Sequence, residues 1–293
     1  MTGRTIWFLR KAAASSLEHR LVCPATRFGG VFRFARPQTP PLWQRGFFLV
    51  NCLVLRRLLA SVRSGVVKKT SVSGRWSFVA RTKLVYPKMP GSGAAPLSRC
   101  VAFDKYDGTN LHWVWESELG WYGFGTRRDR FDLDDAGIAD FNAAHPGLEQ
   151  AAPIFLDSLA DSLTAVLEAH EFYDSPEIIA FTEYLGPNSF AGKHKTDDPK
   201  QLVLFDIQVA AGFLAPDLFV EHFANLPIAR VVYRGKLTGK FTTDVREGRF
   251  DVAEGVVCKG GETGHTWMVK IKTDAYMQRL KESFASDWEN YWE

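Results

Sequence analysis

Between residues 97 and 273 the chain is built from short apolar runs broken by single charges. Leu97–Phe103 is a mostly apolar run of strand length that ends at Asp104-Lys105. Leu111–Trp115 and Trp121–Phe124 are aromatic-rich and alternating, and predict a β-hairpin. Residues 149–170 place Ile154, Leu156, Leu159, Leu163, Val166 and Leu167 at helical spacing and predict one helix, a scaffold element. Ile178–Gly186 and Leu202–Ile207 are apolar strands, each carrying one acid, Glu183 and Asp206. Phe250–Lys259 sets Glu254-Gly255 against a β-branched pair. In Thr266–Thr273 the alternation is clean: Trp267, Val269 and Ile271 point one way, and Met268, Lys270 and Lys272 the other. Asp274–Trp292 has the length of one closing helix. Further upstream, Trp76–Ala80 reads as a first strand and Tyr86–Gly93 as a loop, from its Pro and Gly.

Residues 1–78 carry no sustained period, and charge sets them apart. From Met1 to Phe103 there are 18 Lys and Arg against one acid, Glu18; the remaining 18 basic residues face 32 acids. Three readings fit this basic segment: a non-native extension from a start codon assigned too far upstream, an organelle transit peptide, or an arm that neutralises nucleic-acid phosphates. With so many arginines and a single acid, Glu18, to partner them it is expected to pack poorly. Its most apolar piece, Gly46–Leu55, is too short and too close to Arg56-Arg57 to span a bilayer, so no membrane association is expected. The organisation read from the sequence is thus a basic extension over 1–78 and one domain over 79–293. Cys23, Cys52, Cys100 and Cys258 are scattered, which fits reduced thiols in a cytoplasmic protein, or an organellar one if the extension is a transit peptide. No zinc-ligand spacing occurs among the cysteines and histidines.

Several of the interrupting charges point to chemistry. Lys105 lies two residues before Asp107 and three before Gly108, where a primary amine kept neutral would be a nucleophile beside a bound nucleotide. Gly108 would let the backbone turn sharply and a ligand come close. Arg127, past the hairpin, can reach a phosphate, or belong to a surface pair balanced by Asp129 and Asp132. Glu183 in an apolar strand needs donors, and ribose hydroxyls are suitable. Phe205 is either core or a ring for a purine to stack on. Lys270 and Lys272 share a strand face and repel unless an anion lies between them; a triphosphate or a solvated edge would each serve.

Taken together, these segments resemble the covalent nucleotidyltransferase superfamily of RNA ligases, DNA ligases and capping enzymes. KYDGTN looks like its motif I, TRRD like motif Ia, FTEYLG like motif III, LVLFDI like motif IIIa, EGVVCK like motif IV and VKIKT like motif V. The Gly-Thr-Asn tail and the FDI strand resemble the phage RNA ligase 2-like group. The resemblance covers about residues 80–275 and implies an α+β adenylyltransferase domain of antiparallel sheets packed with helices, the nucleotide pocket between them. It implies ATP (GTP being the rival) and Mg2+ or Mn2+ as cofactors. Lys105 would take AMP as a phosphoramidate, with Asp107 and Gly108 in the same nucleotide-binding motif. Arg127 would contact the nucleotide and an incoming 5′-phosphate, Glu183 the ribose and Phe205 the adenine. Glu254 would support the metal. Lys270 and Lys272 would hold the α-phosphate, and these cations should depress the Lys105 pKa. The partners implied are RNA ends, including a nicked duplex or RNA–DNA hybrid. About twenty residues follow motif V, too few for a C-terminal OB-fold, so a further partner is expected to supply substrate grip, and self-adenylylation is the better supported step. DNA ends or a non-nucleic-acid acceptor are alternatives, as is an inactive nucleic-acid-binding protein.

Overall fold

The computed structural model describes residues 85–170 and 173–290. The expected strand at 76–80 and the whole 1–78 extension lie outside the described residues. In chain order the elements are β1 Arg99–Lys105, β2 Thr109–Glu116, β3 Gly120–Thr126, β4 Phe131–Asp132, α1 Asp135–Ala144, α2 Ala151–Ser158, α3 Ala160–Ala169, β5 Ile178–Leu185, β6 Gln201–Val209, β7 Gly212–Phe213, α4 Pro216–Phe223, β8 Val231–Lys236, α5 Gly239–Arg246, β9 Gly255–Gly260, β10 Trp267–Lys272 and α6 Asp274–Phe284. The class is α+β. One sheet has the order β10-β9-β1-β8 and the other β4-β3-β2-β5-β6-β7, with the strands in both antiparallel. No described helix is long and apolar enough to cross a membrane.

Period two on the strands explains the layering. On β1, Cys100 and Ala102 join a small core with Phe241 and Val245 of α5, together with Val256, Cys258, Val269 and Ile271. Val101 and Phe103 face the opposite way, into the main core. Lys105 continues that second face by the same alternation. The main core lies under the six-stranded sheet, where Trp113 stacks between Phe124 at 5.4 Å and Phe155 at 3.8 Å. The chain passes from one sheet to the other between Lys105, the last residue of β1, and Thr109, the first of β2. The Lys-Tyr-Asp-Gly run is therefore the crossing point.

Three local expectations change. The single helix over 149–170 is two helices, because Leu159 leaves helical geometry (φ −122°), and the bend lets Phe155, Leu163 and Leu167 all reach the core. Residues 250–254 precede the strand, which starts at Gly255. The closing helix ends at Phe284, and a 3-10 helix, Ala285–Asn290, follows.

Candidate active site

A cavity of about 390 Å³ opens between the two sheets, and Lys105, Asp107, Gly108, Arg127, Glu183, Phe205, Glu254 and Lys270 all line it. The contributing segments are far apart in sequence. β1 delivers Lys105, β5 delivers Glu183, β6 delivers Phe205, β10 delivers Lys270, and Glu254 directly precedes β9.

Lys105 Nζ lies 2.9 Å from each carboxylate oxygen of Glu254, which is buried to 2% exposure. Burial alone would lower the lysine's pKa, but the carboxylates of Glu254, Glu183 and Asp107 override it and hold the ammonium above its ordinary value. The expected depression by neighbouring cations is thus reversed in the protein alone, because the charges nearest the amine are negative. Lys272 approaches the same Glu254 Oε1 at 3.0 Å. One carboxylate therefore bridges Lys105 and Lys272. Lys272 is nearly buried, its ammonium lies 4.9 Å from the Tyr276 ring centroid, and it is absent from the main cavity's wall. Lys270 makes no ion pair among the described residues, and burial with the Lys272 and Lys105 charges pulls its pKa down to about 8.

Glu183 is pushed up to about 7, chiefly by burial, against the opposing pull of Lys105. Its Oε1 accepts from Gly108 N at 2.9 Å, so the donor expected from a sugar is partly supplied by the motif's own backbone. Gly108 lies at a bend in the chain, but outside the left-handed region. It is required for another reason: a Cβ there would run into the Tyr184 carbonyl oxygen and crowd the Glu183 side chain. Gly255 is doubly constrained, with φ +152° and a Cβ position blocked by the Ile271 carbonyl oxygen. Asp107 accepts from Ala191 N at 2.8 Å with both oxygens and so pins the 186–198 loop to the cavity.

Arg127 lines the cavity, but its Nε donates to Tyr86 O at 2.9 Å and its Nη2 to Pro87 O at 2.6 Å, while Val85 N donates to Arg127 O at 3.0 Å. It clamps the 85–87 segment as well as facing the space. Phe205 owes its place to a bulge. Phe181 pairs with Asp206 and Thr182 with Leu204, so Phe205 is the extra residue on β6. Its ring is half-buried at the cavity wall, edge-on to Tyr86 at 5.2 Å.

Sequence reasoning missed the support beneath that wall. Lys259 Nζ donates to Asp206 Oδ2 at 2.8 Å and to Phe205 O at 2.7 Å, and Tyr86 OH donates to the same Asp206 oxygen at 2.8 Å. All three side chains are buried. Burial pushes the Asp206 carboxyl up and the Lys259 ammonium down, and the attraction between the two opposes both shifts. The one available signal was two charges of opposite sign inside apolar strands, each needing a partner.

Among the described residues no group of three or more His, Cys, Asp or Glu side chains is arranged to hold a metal ion. The donors do suit a cation shared with a nucleotide's phosphates, since such ions commonly take only one or two protein carboxylates; Glu254, Asp107, Glu183 and Asp104 line the cavity.

No family model and no curated protein matches this chain. Solved structures of a Naegleria gruberi RNA ligase are similar to it. A mutant with AMP and Mn gives a TM-score of 0.47 at 14% identity, covering 68% of this chain and 58% of that one. A mutant with ATP and Mn gives 0.47 at 16%, covering 75% and 62%. The ligase with PPi gives 0.46 at 13%, covering 74% and 64%. The chain thus spans less than two thirds of the length of each of these ligases.

Proposed function

We propose that this chain is an ATP-dependent nucleotidyltransferase of RNA-ligase type, in the phage RNA ligase 2-like branch. The observation that carries the reading is the convergence of Lys105, Glu183, Phe205, Glu254 and Lys270, from five separate stretches of sequence, on one cavity between two sheets. In step one the neutral Lys105 amine attacks the α-phosphorus of ATP. An N–P bond forms, the P–O bond to the β-phosphate breaks with its electron pair leaving on pyrophosphate, and the amine sheds a proton to solvent. AMP then passes to a 5′-phosphate RNA end, and a 3′-hydroxyl displaces it to seal the strand.

Phe205 offers its ring to the adenine, Glu183 a buried carboxyl to the ribose, and Lys270 an unpaired ammonium to the α-phosphate. Lys272 acts indirectly, by holding Glu254 in place. A divalent cation, Mg2+ or Mn2+, held by Glu254 with the phosphates supplies positive charge to the reacting phosphate. Lys105 becomes a nucleophile only when the grip of Glu254 on its proton is relaxed, so the resting site keeps the amine charged until a nucleotide arrives.

The test is incubation with α-labelled ATP and Mg2+, followed by a search for acid-labile label on the protein. Wild type should label and Lys105→Ala should not; equal labelling of the two would end the proposal. Nicked RNA, nicked DNA and mixed duplexes then separate the acceptors.

A further inference from the structure

Lys105 sits where its ladder stops. It pairs with Gly255 as the last residue of β1, and Thr109 pairs with Tyr184 as the first of β2. Tyr106, Asp107 and Gly108 cross between the sheets outside both ladders. Strand pairing does not fix such a crossing, so contacts from elsewhere decide where it lies and where the amine beside it points.

The 186–198 loop supplies them at two points. Ala191 N donates to both Asp107 oxygens at 2.8 Å, and Thr109 Oγ1 lies 2.7 Å from His194 Nε2. The loop is tied at its tip, base and outer side. Phe190 N donates to Lys193 O at 3.1 Å and Lys193 N to Phe190 O at 3.0 Å, closing a two-residue turn at the tip. Both residues of that turn, Ala191 and Gly192, have positive φ, 52° and 71°. An alanine stays there only where its surroundings hold it, and the Asp107 carboxylate is that hold. At the base, Asp198 accepts from Asn188 N at 2.9 Å and from its Nδ2 at 2.6 Å. On the outer side the Arg279 guanidinium of α6 stacks on the Phe190 ring, 3.8 Å from its centroid.

His194 is bonded through both ring nitrogens. Its Nδ1 lies 3.1 Å from Ser189 Oγ, which also accepts from Gly186 N at 2.8 Å. The Tyr184 ring meets the imidazole edge-on at 4.9 Å. Burial, with the Lys200 charge, holds its pKa down to about 4. The ring is therefore neutral near pH 7, donating from one nitrogen and accepting at the other, and a hydroxyl at each end can take either role. His194 is absent from the cavity wall.

We propose that His194 is a positioning residue for transfer to Lys105: through Thr109 it braces the crossing segment and so fixes where the amine points. This rests on the reading that Lys105 is the nucleophile. A small displacement is enough to matter, because the reacting atoms must lie about 3–3.5 Å apart and aligned.

The experiment is single-turnover labelling of the full chain from α-labelled ATP and Mg2+. Wild type is compared with His194→Ala, His194→Gln, Thr109→Val and the double variant H194A/T109V, and melting curves check that each folds. The rate constant at saturating ATP should fall by about tenfold in H194A and in T109V, the loss of one hydrogen bond from a placed segment. The double variant should fall no further, since both changes cut the same link. H194Q, whose amide nitrogen can replace Nε2 opposite Thr109, should recover most of the rate. The ATP concentration giving half-maximal rate should stay within about twofold. A merely structural role would lower the melting temperature and the fraction of protein that labels, and leave the rate constant of the folded fraction alone. That result, or losses that multiply in the double variant, overturns the proposal. Wild type that takes no label removes the transferase reading, and the brace is then judged without nucleotide. An amine-directed reagent at pH 8 should modify Lys105 several-fold faster in H194A and T109V than in wild type, because the amine is no longer held against Glu254; an unchanged rate overturns the brace.

Discussion

Asp206→Ala should be among the most destabilising single changes outside the apolar core. Asp206 is 1% exposed and Lys259 4%, so neither charge has water to fall back on. Deleting the carboxylate leaves the Lys259 ammonium with the Phe205 carbonyl oxygen and the faces of Phe103, Phe205 and Phe219, at 5.2, 5.5 and 5.9 Å from their ring centroids. Removing one member of a buried pair typically costs about 3–5 kcal/mol. An upper bound follows independently: the lysine can shed its proton instead, and neutralising an ordinary lysine at pH 7 costs about 1.4 kcal/mol for each of roughly 3.4 units, close to 5 kcal/mol. Tyr86 OH also loses its acceptor and keeps only the Met268 sulfur at 3.1 Å. For a domain of this size the melting temperature should fall by roughly 6–20 °C. The assay is urea and thermal unfolding of wild type, Asp206→Ala, Lys259→Met and the double variant. The double variant should recover most of the loss, because replacing both charges with apolar groups removes the stranded ion. A fall below about 1 kcal/mol for Asp206→Ala, or a double variant no better than the worse single one, would refute the argument that desolvation governs this pair.

Two further outcomes follow from the site's electrostatics. Glu183 has its folded pKa raised from 4.5 to about 7, so between those values the native state holds a proton the unfolded chain has released. Its contribution therefore favours folding below the ordinary carboxylate pKa and is lost as pH rises through about 7, by up to about 3 kcal/mol. His112 and His194, lowered to about 4, act with the opposite sign: their contribution is present above about 6.5 and lost as pH falls toward 4. Glu183→Gln should consequently gain stability over wild type on going from pH 5 to 7.5 in melting experiments, and parallel profiles would contradict the assignment. In the nucleotide-free protein Glu254→Gln should make Lys105 react several-fold faster with an amine-directed reagent at pH 8, read by peptide mass spectrometry, since the carboxylate holding its proton is gone; an unchanged rate would separate Lys105 from Glu254.

The sequence by itself determined the strands that carry the site. Alternation in β10 and the apolar runs of β1, β5 and β6 are local signals, set by which face each side chain must bury, and they placed Lys105, Glu183 and Lys270 on the right elements. Single charges inside those runs marked positions that needed partners. The partners themselves came only from tertiary structure. That Glu254 bridges Lys105 and Lys272, that Asp206 finds Lys259 and Tyr86, and that Gly108 is small to admit the Tyr184 carbonyl are facts of register and packing between segments 18 to 149 residues apart. The bulge that turns Phe205 to the cavity wall is likewise a mismatch between two strands, invisible in either one alone. Even the sign of the Lys105 shift was decided there: the residue type fixes that an amine can titrate, but only the neighbours brought by folding fix which charge it keeps.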